Sequence, residues 1–149
     1  MVRHPRWVRK FMSEADLEAV RQAIATAEAG TSAEIRVHLD HTCTGDPVAR
    51  AVDVFERLGM HRTAERHGVL IYAAVKTRKL AIVGDEGIHT RVGDAYWQRL
   101  VDGMLDHLRA SRPRDGFVQI LSELGEVLGR HFPRRPDDAN ELTNEVSIE

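Results

Sequence analysis

The residues whose types and spacing could do chemistry are carboxylates: Glu34, the pair Asp85 and Glu86, Asp94 and Asp115. Asp85 and Glu86 lie between glycines in Gly84-Asp85-Glu86-Gly87, and Asp94 follows Gly93. Carboxylates brought together repel one another, and a hard divalent cation with oxygen ligands is the usual answer to that repulsion. Calcium tolerates irregular loops and several carboxylates, so the expected ion is calcium in preference to magnesium or zinc. Each residue also has a local reading. Asp85 suits a turn, Asp94 and Asp115 suit helix N-caps, and Glu34 suits a solvated strand position. Both readings stand at this level.

Whether the carboxylates meet depends on the elements that carry them. Residues 1–12 read as a basic arm in which Trp7, Val8, Phe11 and Met12 can pack on the body. Ser13, with Asp16 three residues on, starts a helix whose inner face is Leu17, Val20, Ile24 and Ala27 and which stops at Gly30. From Ala33 to Asp40 the period changes to two, with Ile35, Val37 and Leu39 opposite Glu34, Arg36, His38 and Asp40, a half-buried strand expected near an edge. Asp46-Pro47 opens a second helix that ends at Gly59. Val69 to Val75 is apolar on both faces and belongs in the middle of a sheet. Leu80 to Val83 returns too soon for a crossover and makes an antiparallel hairpin with it. Asp94 and Asp115 then head two more helices, the last broken at Phe132-Pro133.

The predicted fold is a three-layer α/β/α sandwich, a small mixed sheet of one parallel pair plus an antiparallel hairpin, flanked by about four helices. It spans residues 13–133 as one domain, with 134–149 as an acidic polar tail. A right-handed crossover makes the first two strands parallel. The end of the third strand, at Gly84-Asp85-Glu86, therefore lies on the same sheet edge as the starts of the first two. That edge collects Ser32, Glu34, His67, Asp85 and Glu86, with Asp94 nearby.

Other motifs carry less. Arg66-His67-Gly68 spells the phosphohistidine tripeptide of histidine phosphatases, but it precedes a strand instead of following one. Cys43, near His38 and His41, lacks any sign of an orienting base and reads as a loop cysteine. No histidine pair stands at zincin spacing, and the acidic glycine loop lacks the lysine of a phosphate cradle. Tyr96 and Trp97 read as packing residues.

A net charge of -2 with 42% hydrophobic and 30% charged residues describes a globular domain and gives no electrostatic case for nucleic acid. Arg3, Arg6, Arg9 and Lys10 crowd one end, while Asp137, Asp138, Glu141, Glu145 and Glu149 occupy the other. The single cysteine excludes an intrachain disulfide and fits a reducing compartment. The first residues lack a secretory apolar core, and the longest apolar run is too short to cross a bilayer. The expectation is a cytoplasmic protein without a membrane anchor. Alternating charge on the first strand discourages edge pairing and favours a monomer.

Several stretches resemble the TPM domain family: Thr31-Ser32-Ala33-Glu34-Ile35, Ala51-Val52 through Phe55, Gly68-Val69-Leu70-Ile71-Tyr72 and Arg78-Lys79-Leu80-Ala81-Ile82-Val83-Gly84-Asp85. Gly87-Ile88, Gly93-Asp94, Trp97, Asp115-Gly116, His131-Phe132-Pro133 and Asn140-Glu141-Leu142 extend the likeness. The resemblance implies the same three-layer fold and, as in some relatives, a divalent-cation site, often calcium. By position it points first to Asp85 and Asp94, then to Glu34, then to Glu86 and Asp115. Plant relatives are described as acid phosphatases acting in photosystem repair, and many members carry a signal segment and a membrane anchor, from which this sequence departs. Two functions follow. One is a cation-binding regulatory or protein-interaction module with a protein partner. The other is a metal-assisted phosphomonoesterase using the same acidic loops.

Overall fold

The computed structural model describes residues 4–62, 67–134 and 145–149. The basic stretch at the start is ordered as α1 (Arg6–Phe11), which buries Val8 and, just beyond it, Met12. Trp7 stacks on His41 with ring centroids 5.0 Å apart. Helix α2 (Glu14–Ala29) opens on the expected capping box: Ser13 Oγ accepts from Asp16 N–H, and the Asp16 carboxylate accepts from Ser13 N–H. Arg3 and the acidic residues Asp137, Asp138 and Glu141 lie outside the described residues.

Strand β1 (Glu34–Asp40) leads through α3 (Pro47–Arg57) and a short 3-10 turn to β2 (Gly68–Ala74). Asp46 caps α3 by accepting from Val48 N–H at 3.0 Å, with Pro47 in the first turn. β1 and β2 are parallel, and β2 returns antiparallel as β3 (Lys79–Gly84). That is the predicted parallel pair and hairpin. Its apolar residues on one face, with α2, α4 (Glu86–Arg109) and α5 (Pro113–His131), make the larger core. On the other face α3 packs Ala51, Val54 and Phe55 against Leu70, Tyr72, Ala74 and Ala81. The arrangement is the expected three-layer sandwich.

The structure corrects three expectations. First, β1 is not at an edge, because a short β4 (Ser147–Ile148) from the C-terminal segment pairs parallel to it, giving the order β3-β2-β1-β4. Most of the polar face of β1 is buried as well: Glu34, His38 and Asp40 are in the interior, and Arg36 is half-buried. Second, the helix headed by Asp94 starts earlier. Its cap is Asp85, and Asp94 marks where α4 resumes after a break at Gly93 (φ 77°, ψ 168°). The first turns carry one buried apolar residue, Ile88, so they lack the amphipathic stripe by which a helix is read from sequence. Third, α5 begins at Pro113 with Arg112 at the cap position, and Asp115 sits inside the first turn, where its charge suits the helix dipole.

Gly84 lets α4 close on the end of β3. A Cβ there would stand 2.5 Å from Trp97 Cζ2, and Trp97 is buried. Gly84→Ala should therefore force the indole aside and lower unfolding free energy by ~1–2 kcal/mol. Urea denaturation measures this, and an unchanged midpoint would mean that the indole yields freely.

Candidate functional site

The carboxylates singled out in the sequence meet only in part. Glu34 opens β1 with its N–H on His67 O at 3.0 Å, and Asp85 leaves β3 with its N–H on Gly68 O at 2.8 Å. Both sit on the predicted sheet edge, but the start of β2 lies between them, about two strand spacings or ~10 Å of backbone. Asp85 is buried and caps α4, its Oδ1 accepting from Glu86 N–H at 2.8 Å. Glu86 itself is exposed. Asp94 is open to solvent and faces His89 Nε2 at 3.5 Å. Asp115 lies elsewhere: the length of α4 separates it from Asp85, and it pairs with Arg114 at 2.9 Å.

Glu34 has an unexpected neighbour in Glu28. Both are buried, and Glu28 Oε2 accepts from Ile35 N–H at 2.8 Å. Burial, with the adjacent Glu34 carboxyl adding to it, pushes the Glu28 carboxyl up to about 8. His67 packs on the Phe132 ring, centroids 4.1 Å apart. Burial lowers its pKa while Asp85 works in the opposite direction. It stands before β2, as the sequence implies, and Arg66 of the tripeptide lies outside the described residues.

A second polar cluster occupies the opposite edge, at the carboxyl end of β1. Asp40 receives hydrogen bonds from the Tyr72 hydroxyl at 2.5 Å and Arg50 Nε at 2.8 Å, and lies 2.9 Å from His38 Nε2. Burial alone would raise its pKa, but the hydrogen bonds from Arg50, Tyr72 and His38 prevail and hold it at about 2. The same contacts raise the Arg50 and Tyr72 values, with Asp40 hydrogen bonding leading for Arg50 and burial for Tyr72. His38 is fully buried, and burial lowers its pKa despite Asp40. The neutral ring fits Nε2–H donating to Asp40 and Nδ1 accepting from Ser147 Oγ at 2.8 Å.

Glu149 closes this cluster from the C-terminal segment. Its carboxylate takes hydrogen bonds from Arg50 and Arg57 and approaches His38 Nε2 at 3.9 Å. Arg50 also reaches Asp53 at 2.9 Å. Asp40, Arg50, Asp53 and Glu149 border a groove of about 640 Å³ that further includes Thr42, Cys43, Thr44 and Asp46. Cys43 is itself buried, its backbone N–H on Thr77 Oγ1 and its thiol near Gly45 O. Among the described residues, His38, Asp40 and Glu149 form the one group of three acidic or histidine side chains whose donor atoms all lie within 4.8 Å of one another.

The architecture and its sequence have relatives. Residues 8–127 match the TPM domain. The chain belongs to the TPM domain family. The BA42 protein of the psychrophilic bacterium Bizionia argentinensis is 37% identical over 93% of this TPM chain and 96% of its own, with a TM-score of 0.86. The N-terminal domain of a P. gingivalis protein (15% identity, 84% and 82% covered, TM-score 0.67) shares the fold. So does the N-terminal domain of the cg2496 protein of Corynebacterium glutamicum (16%, 85% and 85%, TM-score 0.62). No curated protein matches the TPM chain. No helix among its described residues is long and apolar enough to cross a membrane.

The carboxyl-end cluster of this TPM domain was accessible to sequence reasoning in two respects. His38 and Asp40 share a strand face just before the crossover loop, and ligands of open α/β sheets gather at strand carboxyl ends. Tyr72, a hydroxyl inside an otherwise apolar run, is a second signal. Glu149 gives none, because nothing local distinguishes it from the other acids of the tail.

Proposed function

We propose that this TPM domain is a divalent-cation-binding module whose ion joins the C-terminal segment to the sheet. The observation that carries the reading is the convergence of His38, Asp40 and Glu149. Their chemistry fits an ion. Ser147 Oγ can accept or donate, so His38 can carry its proton on Nδ1 and leave Nε2 free for a metal, the orientation that hydrogen-bonded histidine ligands normally take. An imidazole beside two carboxylates favours an ion that accepts nitrogen, manganese or zinc, whereas the all-oxygen acidic edge retains the preference for calcium. The cation would take over from Arg50 and Arg57 as counter-charge to Glu149. Through Glu149 it would strengthen the hold on β4, so that a protein partner reading that surface would respond to the ion.

Titration of metal-stripped protein with zinc, manganese, calcium and magnesium, followed at the backbone amides, tests this reading. The expected result is a saturable change over residues 38–46 and 147–149 together with a rise in melting temperature. Glu149→Gln, at an exposed position, should abolish most of that rise. Changes confined to Glu34, residues 84–87 and Asp94 would move the ion to the acidic edge, where Asp85→Ala would abolish them. No change with any ion would overturn the reading.

The phosphomonoesterase alternative needs a cationic group free to face the transferred oxygens. In the groove, Arg50 directs its donors to Asp40, Asp53 and Glu149, which favours binding over turnover. Hydrolysis of an aryl phosphate that stops with chelator and survives in Asp85→Asn would reverse that preference and place the chemistry in the groove.

A further inference from the structure

On the other face of the sheet, between α1, the end of β2 and the turn joining α4 to α5, lies a cavity of about 270 Å³. Phe11, Val75 and Leu108 give it an apolar lining, and Lys10, Arg78 and Ser111 supply its polar groups. We propose that this cavity binds a small organic anion, an oxyanion headgroup on a short apolar or aromatic body. The site is separate from the cation groove and does not depend on it.

Charge is the first argument. Among the described residues neither Lys10 nor Arg78 has an ion-pair partner, although Asp106 in the last turn of α4 and Asp115 in the first turn of α5 flank the turn that borders the cavity. Those two are already paired, Asp115 with Arg114 at 2.9 Å and Asp106 with Arg109 at 3.5 Å. Two cations and a hydroxyl thus border one cavity, and no anion among the described residues is paired with them.

Shape is the second. The volume lies just below the range of pockets that enclose drug-sized ligands, ~300–1,000 Å³. It therefore suits a benzoate or phenylphosphonate rather than a nucleotide. Apolar and polar groups share the lining about equally, which suits a ligand with an apolar body and a charged head. Arg78 (φ 55°) and Ser111 (φ 58°) are the non-glycine residues with positive φ among those described, and both border this cavity. Glycine would fill either position with less strain, so nothing in the backbone calls for an arginine at position 78.

The test follows the amides of the full chain during titrations with benzoate, phenylphosphonate, inorganic phosphate and benzamide. Benzoate or phenylphosphonate should shift residues 74–78 and 111–116 saturably, with affinity at least ~10-fold above that of phosphate or benzamide. The tighter of the two acids identifies the headgroup as carboxylate or phosphoryl. Arg78→Gly should weaken binding at least ~10-fold without lowering the melting temperature, since glycine accepts the φ of this turn. Equal binding of benzamide, equal binding of inorganic phosphate, unchanged binding by Arg78→Gly, or no saturable shift would each overturn the proposal.

Discussion

Asp40→Asn is expected to lower the unfolding free energy by ~3 kcal/mol at neutral pH, since breaking a buried charged network by removing one partner typically costs ~3–5 kcal/mol. Asp40 is buried and serves Tyr72, Arg50 and His38 at once. Asparagine keeps the shape but presents an amide N–H₂ where one carboxylate oxygen accepted, leaving a guanidinium or a hydroxyl without its acceptor. The pH dependence provides a second reading. The Asp40 carboxyl is held at about 2, below its ordinary 3.8. A depressed carboxylate contributes stability that is fully present above its unfolded value and fades as pH falls towards the folded one. That contribution is ~2 kcal/mol, lost between about pH 4 and pH 2. Denaturation of wild type and mutant at pH 7, 4 and 2.5 checks both points. The two proteins should converge as the medium is acidified, and a constant gap across that range would show that Asp40 contributes through packing alone.

The same residue explains what could and could not be read from the chain. The parallel pair, the hairpin and the location of Glu34 and Asp85 on one edge are legible, because the switch from helical to alternating period marks β1 and crossover handedness fixes its direction relative to β2. Alternation in β1, however, says only that His38 and Asp40 face away from the apolar core. A solvated face and a face buried under an arginine-bearing helix give the same pattern. What decides between them is Arg50 on α3 and the pairing of Ser147 with His38. A two-residue strand in a polar segment is too short to carry a period, so that pairing is invisible locally. The helix boundaries fail for a different reason. Asp85, Asp94 and Asp115 all suit a cap, and only the packing of Ile88 and the break at Gly93 select Asp85. The placement of Asp115 at the far end of α4 follows directly from that helix being longer than its amphipathic stripe.

Glu28→Gln is expected to stabilise the protein, by ~2 kcal/mol at pH 8, while leaving it nearly unchanged at pH 5. In the folded chain Glu28 titrates near 8, raised from 4.5 first by burial and then by the neighbouring Glu34. The folded state therefore holds a proton that the unfolded state releases, and stability falls as pH rises from the unfolded value through the folded one. Glutamine keeps the acceptor for Ile35 N–H and supplies an uncharged amide N–H beside Glu34 without any titration. The wild type should accordingly lose stability between about pH 5 and pH 8, and the mutant should lose much less. A mutant that follows the wild-type curve in parallel would assign the slope to another group. Adding a divalent ion, calcium in one series and manganese in another, makes the comparison sharper, because a cation at the acidic edge would neutralise ionised Glu28 and Glu34 together and flatten the wild-type slope. A cation in the groove near His38 and Glu149 would raise the whole curve and leave its slope intact. One set of denaturation curves, with and without the ion, thus reports both on the buried carboxyl pair and on which end of the sheet holds the metal.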